Sequence, residues 1–121
     1  MKKFILKVAC FFAIVVAIDI IAGVAFPYLV ANAKGGDNGR NNYICLKTNE
    51  DILIFGSSRA IHHYHPTIIS DSTGMTCYNC GQDGNGVILN YGRLLMIEKR
   101  YKPKMIIYDI QNTFDLTAGE D

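Results

Sequence analysis

The stretch from Val8 to Ala31 is apolar at every position but Asp19. No other feature of the chain limits its fold so strongly. A helix crossing the hydrocarbon core of a bilayer needs roughly 20 apolar residues, whereas the apolar part of a secretory signal is about 7–15. The run therefore reads as an uncleaved signal anchor over residues 1–33. Ala31-Asn32-Ala33 also has the small-residue pattern of a cleavage site, so a long cleavable signal is the second reading. Lys2, Lys3 and Lys7 precede the run, and no further base occurs until Lys34. That asymmetry places the N-terminus in the cytoplasm and the remainder outside it, in a single-pass, periplasmic arrangement. Cys10 lies too early in the run to be a lipoprotein cleavage cysteine. A mid-span aspartate costs about 2.5–3.5 kcal/mol on insertion scales. The strongly apolar surroundings of Asp19 tolerate it.

What remains, Lys34 to Asp121, has room for one small core. Lys34 to Asn42 reads KGGDNGRNN, with no apolar residue, and residues 34–50 are expected to be a flexible linker. The whole chain has 12 Lys and Arg against 11 Asp and Glu. That balance gives no electrostatic footprint for nucleic acid. With Cys10 in the apolar run, Cys45, Cys77 and Cys80 are left, which is not the count of a disulfide scaffold.

The domain is expected over residues 51–121. Ile52-Leu-Ile-Phe55, bounded by Asp51 and Gly56, has the continuous apolar character of a strand buried on both faces. Ser57-Ser58-Arg59 then forms a turn. Pro66 at a first helical position and Gly74 at an end frame a short helix. Met75 to Tyr78 is a second strand. After the loop GQDGNG (Gly81 to Gly86), Val87, Ile88, Tyr91, Leu94 and Leu95 recur at helical spacing. They predict an amphipathic helix ending near Arg100, with Asn90, Arg93 and Lys99 on the polar side. Lys102-Pro103-Lys104 breaks it, and Met105 to Asp109 is a third strand. Strand–helix alternation calls for a parallel sheet with helices packed on it.

Ligands of open parallel sheets bind beyond the C-terminal strand ends. Gly56-Ser57-Ser58, Gly81 to Gly86 and Gln111-Asn112 fall at those ends, so all three turns share one rim. Polar residues and glycines populate loops for conformational reasons alone. Their recurrence at three successive strand ends points to chemistry. A serine hydroxyl on such a rim can attack a carbonyl, and backbone N–H groups with an Asn amide can stabilise the resulting oxyanion.

Ile54-Phe55-Gly56-Ser57-Ser58 resembles the first block of SGNH/GDSL hydrolases. Tyr78-Asn79-Cys80-Gly81-Gln82-Asp83-Gly84 resembles the second, in which an Asn precedes the oxyanion glycine by five residues. Ile107-Tyr108-Asp109-Ile110-Gln111-Asn112 resembles the third, a strand leading to an Asn. The resemblance spans Asp51 to Leu116. It implies a three-layer α/β/α sandwich, here incomplete, with Ser58 as nucleophile and Gly84 and Asn112 as oxyanion donors. Ser57 stands where the family has Asp, and Ile110 where it has Gly. The Gly-Ser-Ser form resembles membrane-anchored members that act on cell-envelope polymers, so envelope carbohydrate is the implied partner beside the membrane. The family's last block, with its Asp and His, has no counterpart before Asp121. The chain is therefore expected to be a truncated form whose base lies elsewhere, inactive or very weak alone.

His62 follows Ser58 by four residues, within reach of a helical turn. With His63 and His65 it otherwise reads as a polar surface turn before Pro66. Arg59 is either a contact for an anionic group or a solvated side chain. Cys77-x-x-Cys80 with two histidines could make a zinc tetrad or a redox pair. A thiol inside a strand more often packs as a small hydrophobe. No cofactor and no metal are expected. The competing functions are a non-catalytic membrane-anchored interaction module or remnant, and a Cys/His metal-binding domain.

Overall fold

The computed structural model describes residues 2–110. It has a mixed α/β architecture with an apolar N-terminal helix and a short parallel sheet. Two compact units divide the chain, 1–42 and 43–121.

The first unit is dominated by α1 (Lys2–Ala31). At 1.5 Å per residue its 30 residues exceed the hydrocarbon thickness of a bilayer. It is long and apolar enough to cross a membrane, and none of its residues is buried in the protein. The Asn42 side-chain amide donates to the carbonyls of Val30 (2.8 Å), Ala31 (3.2 Å) and Ala33 (3.3 Å). It thereby satisfies the acceptors that every helix leaves open at its C-terminus. The segment read as a flexible linker is thus ordered. Residues Gly36–Leu46 form helix α2, with Asp37 in its first turn, and the boundary between the units falls inside it.

The second unit is built on β1 (Ile52–Gly56), buried at every position. The order β2-β1-β3 puts β1 in the centre, parallel to β2 (Cys77–Asn79) on one side and β3 (Met105–Asp109) on the other. Ile52 is level with Cys77 and with Met105. A central strand needs both faces covered, which explains the unbroken ILIF run. The second strand begins two residues and ends one residue later than expected from sequence. Between β1 and β2 lie α3 (Ser58–His63) and α4 (Pro66–Thr73). α4 has Pro66 at its start and Gly74 at its end in the left-handed conformation, φ 68°, as the sequence indicates. Between β2 and β3 lies α5 (Val87–Glu98). Ile44, Leu53, Phe55, Cys80 and Ile97 form the core cluster.

α5 ends near Arg100, as the sequence indicates, but the face it buries departs from expectation. Arg100 lies past α5 and donates to the carbonyls of Cys45 (2.9 Å) and Thr48 (2.9 Å) and to the Thr48 hydroxyl (3.0 Å). It therefore closes the C-terminal end of α2, where a cation is favourable. More consequential is the orientation of α5. Its buried residues are Asn90, Arg93 and Ile97, while Val87, Ile88, Tyr91 and Leu95 are exposed. Of the apolar stripe read as core-facing, Leu94 packs against the core cluster and the rest points outward. The physical reason is the pair of acceptors beside the glycine-rich loop, the Cys80 carbonyl and Gln82 Oε1, which need donors that an apolar face cannot supply.

Candidate active site

The end of β1 turns at once into α3, and Gly56 makes this possible. Its φ is 147°, and a side chain there would meet the Ala60 Cβ at 2.7 Å and the Asp109 carbonyl at 3.0 Å. The Ser57 carbonyl accepts from the amides of Ala60 (3.1 Å) and Ile61 (3.3 Å), starting the helix. Ser58 is the first helical residue, half-buried, not a turn residue as read from sequence. Its hydroxyl has no hydrogen bond to any described residue.

The glycine-rich loop is fixed beside this turn by backbone and side-chain bonds. The Cys80 amide donates to the Ile54 carbonyl at 2.7 Å, and the Gln82 amide to the Gly56 carbonyl at 3.3 Å. Buried Asn79 donates its side-chain amide to the carbonyls of Ala60 (2.7 Å) and Tyr64 (3.0 Å). Its side-chain oxygen accepts from the Gly81 amide at 2.9 Å. Gly81 packs so tightly against α3 that a Cβ would lie 2.7 Å from the Ile61 nitrogen. His62 Nε2 lies 3.0 Å from Asp83 Oδ1. The residue next to Gly84 is therefore tied to the helix that carries Ser58. Gly84 itself is exposed in a turn with φ 72°.

From the other side, Arg93 of α5 reaches under the loop. It is buried, and its guanidinium donates to the Cys80 carbonyl (3.2 Å), to Gln82 Oε1 and to Asn90 Oδ1 (3.4 Å). Asn90 in turn approaches the Tyr108 hydroxyl at 3.5 Å. Arg93 and Gln82 were missed as site-building residues. The available signal was an arginine four residues before the apolar Ile97 on the same helical face.

At the end of β3, buried Asp109 accepts from Arg59 Nε at 3.1 and 2.8 Å, and Arg59 also donates to the Ile110 carbonyl at 2.8 Å. The Arg59 guanidinium holds the Asp109 carboxyl below the usual carboxylate range. Arg59 thus bridges the ends of β1 and β3. The third turn, with Gln111 and Asn112, lies outside the described residues.

Three histidines and two cysteines do not converge. Among the described residues no group of three or more His, Cys, Asp and Glu side chains is placed to hold a metal ion. Cys77 and Cys80 are not disulfide-bonded. Burial pushes the Cys77 thiol up, which keeps it protonated and unreactive, and Cys80 packs in the core. A cleft of about 460 Å³ lined by Glu50, Ser70, Asp71, Thr76 and Cys77 lies at the opposite end of the strands from Ser58.

The rim therefore gathers a serine hydroxyl with no partner among the described residues, a glycine turn and an arginine–aspartate bridge at the C-terminal ends of parallel strands. The chain matches no family model, no curated protein and no solved structure.

Proposed function

We propose that the chain carries a membrane-anchored, extracytoplasmic SGNH-like serine esterase or O-acyltransferase domain that acts on acyl esters of cell-envelope carbohydrate. In this reading the sheet belongs to a three-layer α/β/α sandwich. The Ser58 hydroxyl attacks the ester carbonyl. The Ser58 and Gly84 N–H groups and the Asn112 side-chain amide donate to the oxyanion. α1 holds the domain at the membrane, with Lys2, Lys3 and Lys7 on the cytoplasmic side. The observation that carries the reading is the position of Ser58. It stands two residues past the end of a buried parallel strand, its hydroxyl has no hydrogen bond to a described residue, and the glycine loop is bonded to its helix. A serine nucleophile also needs a base. His62 shares α3 with Ser58 one turn further on, with its Nε2 engaged by Asp83.

The test is hydrolysis of 4-nitrophenyl acetate by the wild type and Ser58→Ala. The reading expects the rate to fall to background in the variant. Equal rates, with the wild type above background, remove Ser58 as nucleophile.

The second reading, a non-catalytic membrane-anchored interaction module, draws support from the engagement of the rim's charged groups. Arg59 is bound to Asp109 and His62 to Asp83. It expects equal rates in the same assay.

A further inference from the structure

α5 presents to the outside a stripe that its sequence pattern would assign to a core. Ile88 is 86% exposed, Tyr91 60% and Leu95 43%. Beside it, Val87 and Tyr91 border a small, almost wholly apolar groove of about 110 Å³ whose far wall is Ile106 of β3. Ile106 and the preceding Met105 are also exposed, so the apolar surface runs from the helix onto the edge strand. A contiguous apolar patch on an α/β domain marks an interaction surface.

What borders the patch indicates the partner. Tyr91, Leu95 and Lys99 follow one another at four-residue spacing, and Lys99, the C-cap, keeps helical backbone angles. Lys99 therefore continues the exposed stripe. Lys102 follows in the connection to β3. Neither lysine has a partner among the described residues, unlike Arg100 and Lys104, which are bound within the protein. Glu98 is the one acid between Leu95 and Met105. An apolar helix face carrying Tyr, with lysines at its end, has the chemistry of an interfacial helix that buries its apolar side at the headgroup boundary and places ammonium groups among anionic phosphates.

We infer that the outward face of α5, with Met105 and Ile106, docks onto an anionic lipid surface. The inference rests on the reading of α1 as the membrane anchor. That anchor keeps the domain close to lipid, so a weak interfacial contact acts as an intramolecular one and needs little intrinsic affinity. The apolar side chains enter the boundary, the groove between Tyr91 and Ile106 accepts acyl-chain carbons, and Lys99 and Lys102 meet the phosphates. The glycine-rich loop directly precedes Val87, so docking brings the Ser58 rim to the same surface.

The chain contains no Trp, so a single substitution gives a unique probe. The 121-residue chain carrying Ile88→Trp is reconstituted in vesicles of phosphatidylcholine with phosphatidylglycerol, alongside Ile68→Trp on α4 as an exposed reference. Docking expects the Ile88→Trp emission to shift to the blue and to be quenched by lipids brominated on their acyl chains. Ile68→Trp should remain quenched by aqueous iodide. Adding Lys99→Glu and Lys102→Glu should reduce the bromolipid quenching severalfold, as should vesicles of phosphatidylcholine alone. Iodide quenching of Ile88→Trp equal to that of Ile68→Trp overturns the inference. So does a blue shift without bromolipid quenching, which would show that protein rather than lipid covers the face. Resistance of the protein to carbonate extraction is scored in parallel. Its loss overturns the anchor reading, whereas retention with an iodide-accessible Ile88→Trp overturns only the docking.

Discussion

Arg59 and Asp109 are fifty residues apart in sequence, and their side chains close the ends of β1 and β3 into one bridge. Asp109 is almost fully buried and Arg59 half exposed. The carboxyl is held below its ordinary value, so the bridge contributes stability above the unfolded aspartate pKa near 3.9 and loses it as pH falls through the lower folded value. After discounting for the exposed guanidinium, Asp109→Asn should cost about 1 kcal/mol at neutral pH. The difference from wild type should shrink below about pH 4. Urea midpoints at the two pH values check this.

Arg93 makes the larger contribution to holding the loop. Arg93→Leu removes the donor to the Cys80 carbonyl and to Gln82 while keeping apolar bulk. Leaving buried acceptors unmet should cost about 2–3 kcal/mol. Urea denaturation should show it, and amide exchange at Gly81 to Asn85 should quicken.

The loop glycines should differ sharply. Gly81→Ala sets a Cβ 2.7 Å from the Ile61 nitrogen and 2.8 Å from the Ala60 Cβ, and should cost about 1–3 kcal/mol while shifting α3. Gly84→Ala meets open space and bears only the left-handed backbone strain of about 1–2 kcal/mol. Thermal melts of the pair separate the two causes.

Tyr43 donates to Glu50 at 2.8 Å, and this bond with burial raises its pKa to about 12. Because the folded value lies above the unfolded one near 10, the bond's stabilisation is complete below pH 10 and disappears as pH rises through about 12. Spectrophotometric titration of wild type and Tyr43→Phe checks it. The difference trace should rise only near the upper value.

Arg100→Ala uncaps α2, leaving the carbonyls of Cys45 and Thr48 without their donor. A loss of about 1–2 kcal/mol is expected in urea denaturation.

The strands were readable because burial on both faces leaves no alternative to an apolar run, as in ILIF. The α4 boundaries followed from Pro66 and Gly74. Two readings failed for one physical reason: polar side chains were assigned to solvent. Asn42 looked like linker yet holds three carbonyls around the end of α1. Asn90 and Arg93 looked like an outer face yet serve the loop. Hydrophobic periodicity reports which side chains avoid water. It is blind to backbone acceptors, brought in from elsewhere, that need a donor. The juxtaposition of Ser58 and the glycine loop followed from strand order alone. Its enforcement by Asn79, and by the pairing of His62 with Asp83, depends on tertiary distances no spacing encodes.

The central place of β1 also has a consequence for synthesis. Its neighbours are both made later: Ile52 must wait for Cys77 on one side and for Met105 on the other. At about 5–20 residues per second, the second partner emerges several seconds after the strand itself. Throughout that interval an uncharged, apolar run of high β-propensity is available to pair with any other chain, the composition that seeds aggregation. The strand at the centre of the described sheet is therefore also a segment that needs shielding while the chain is being made.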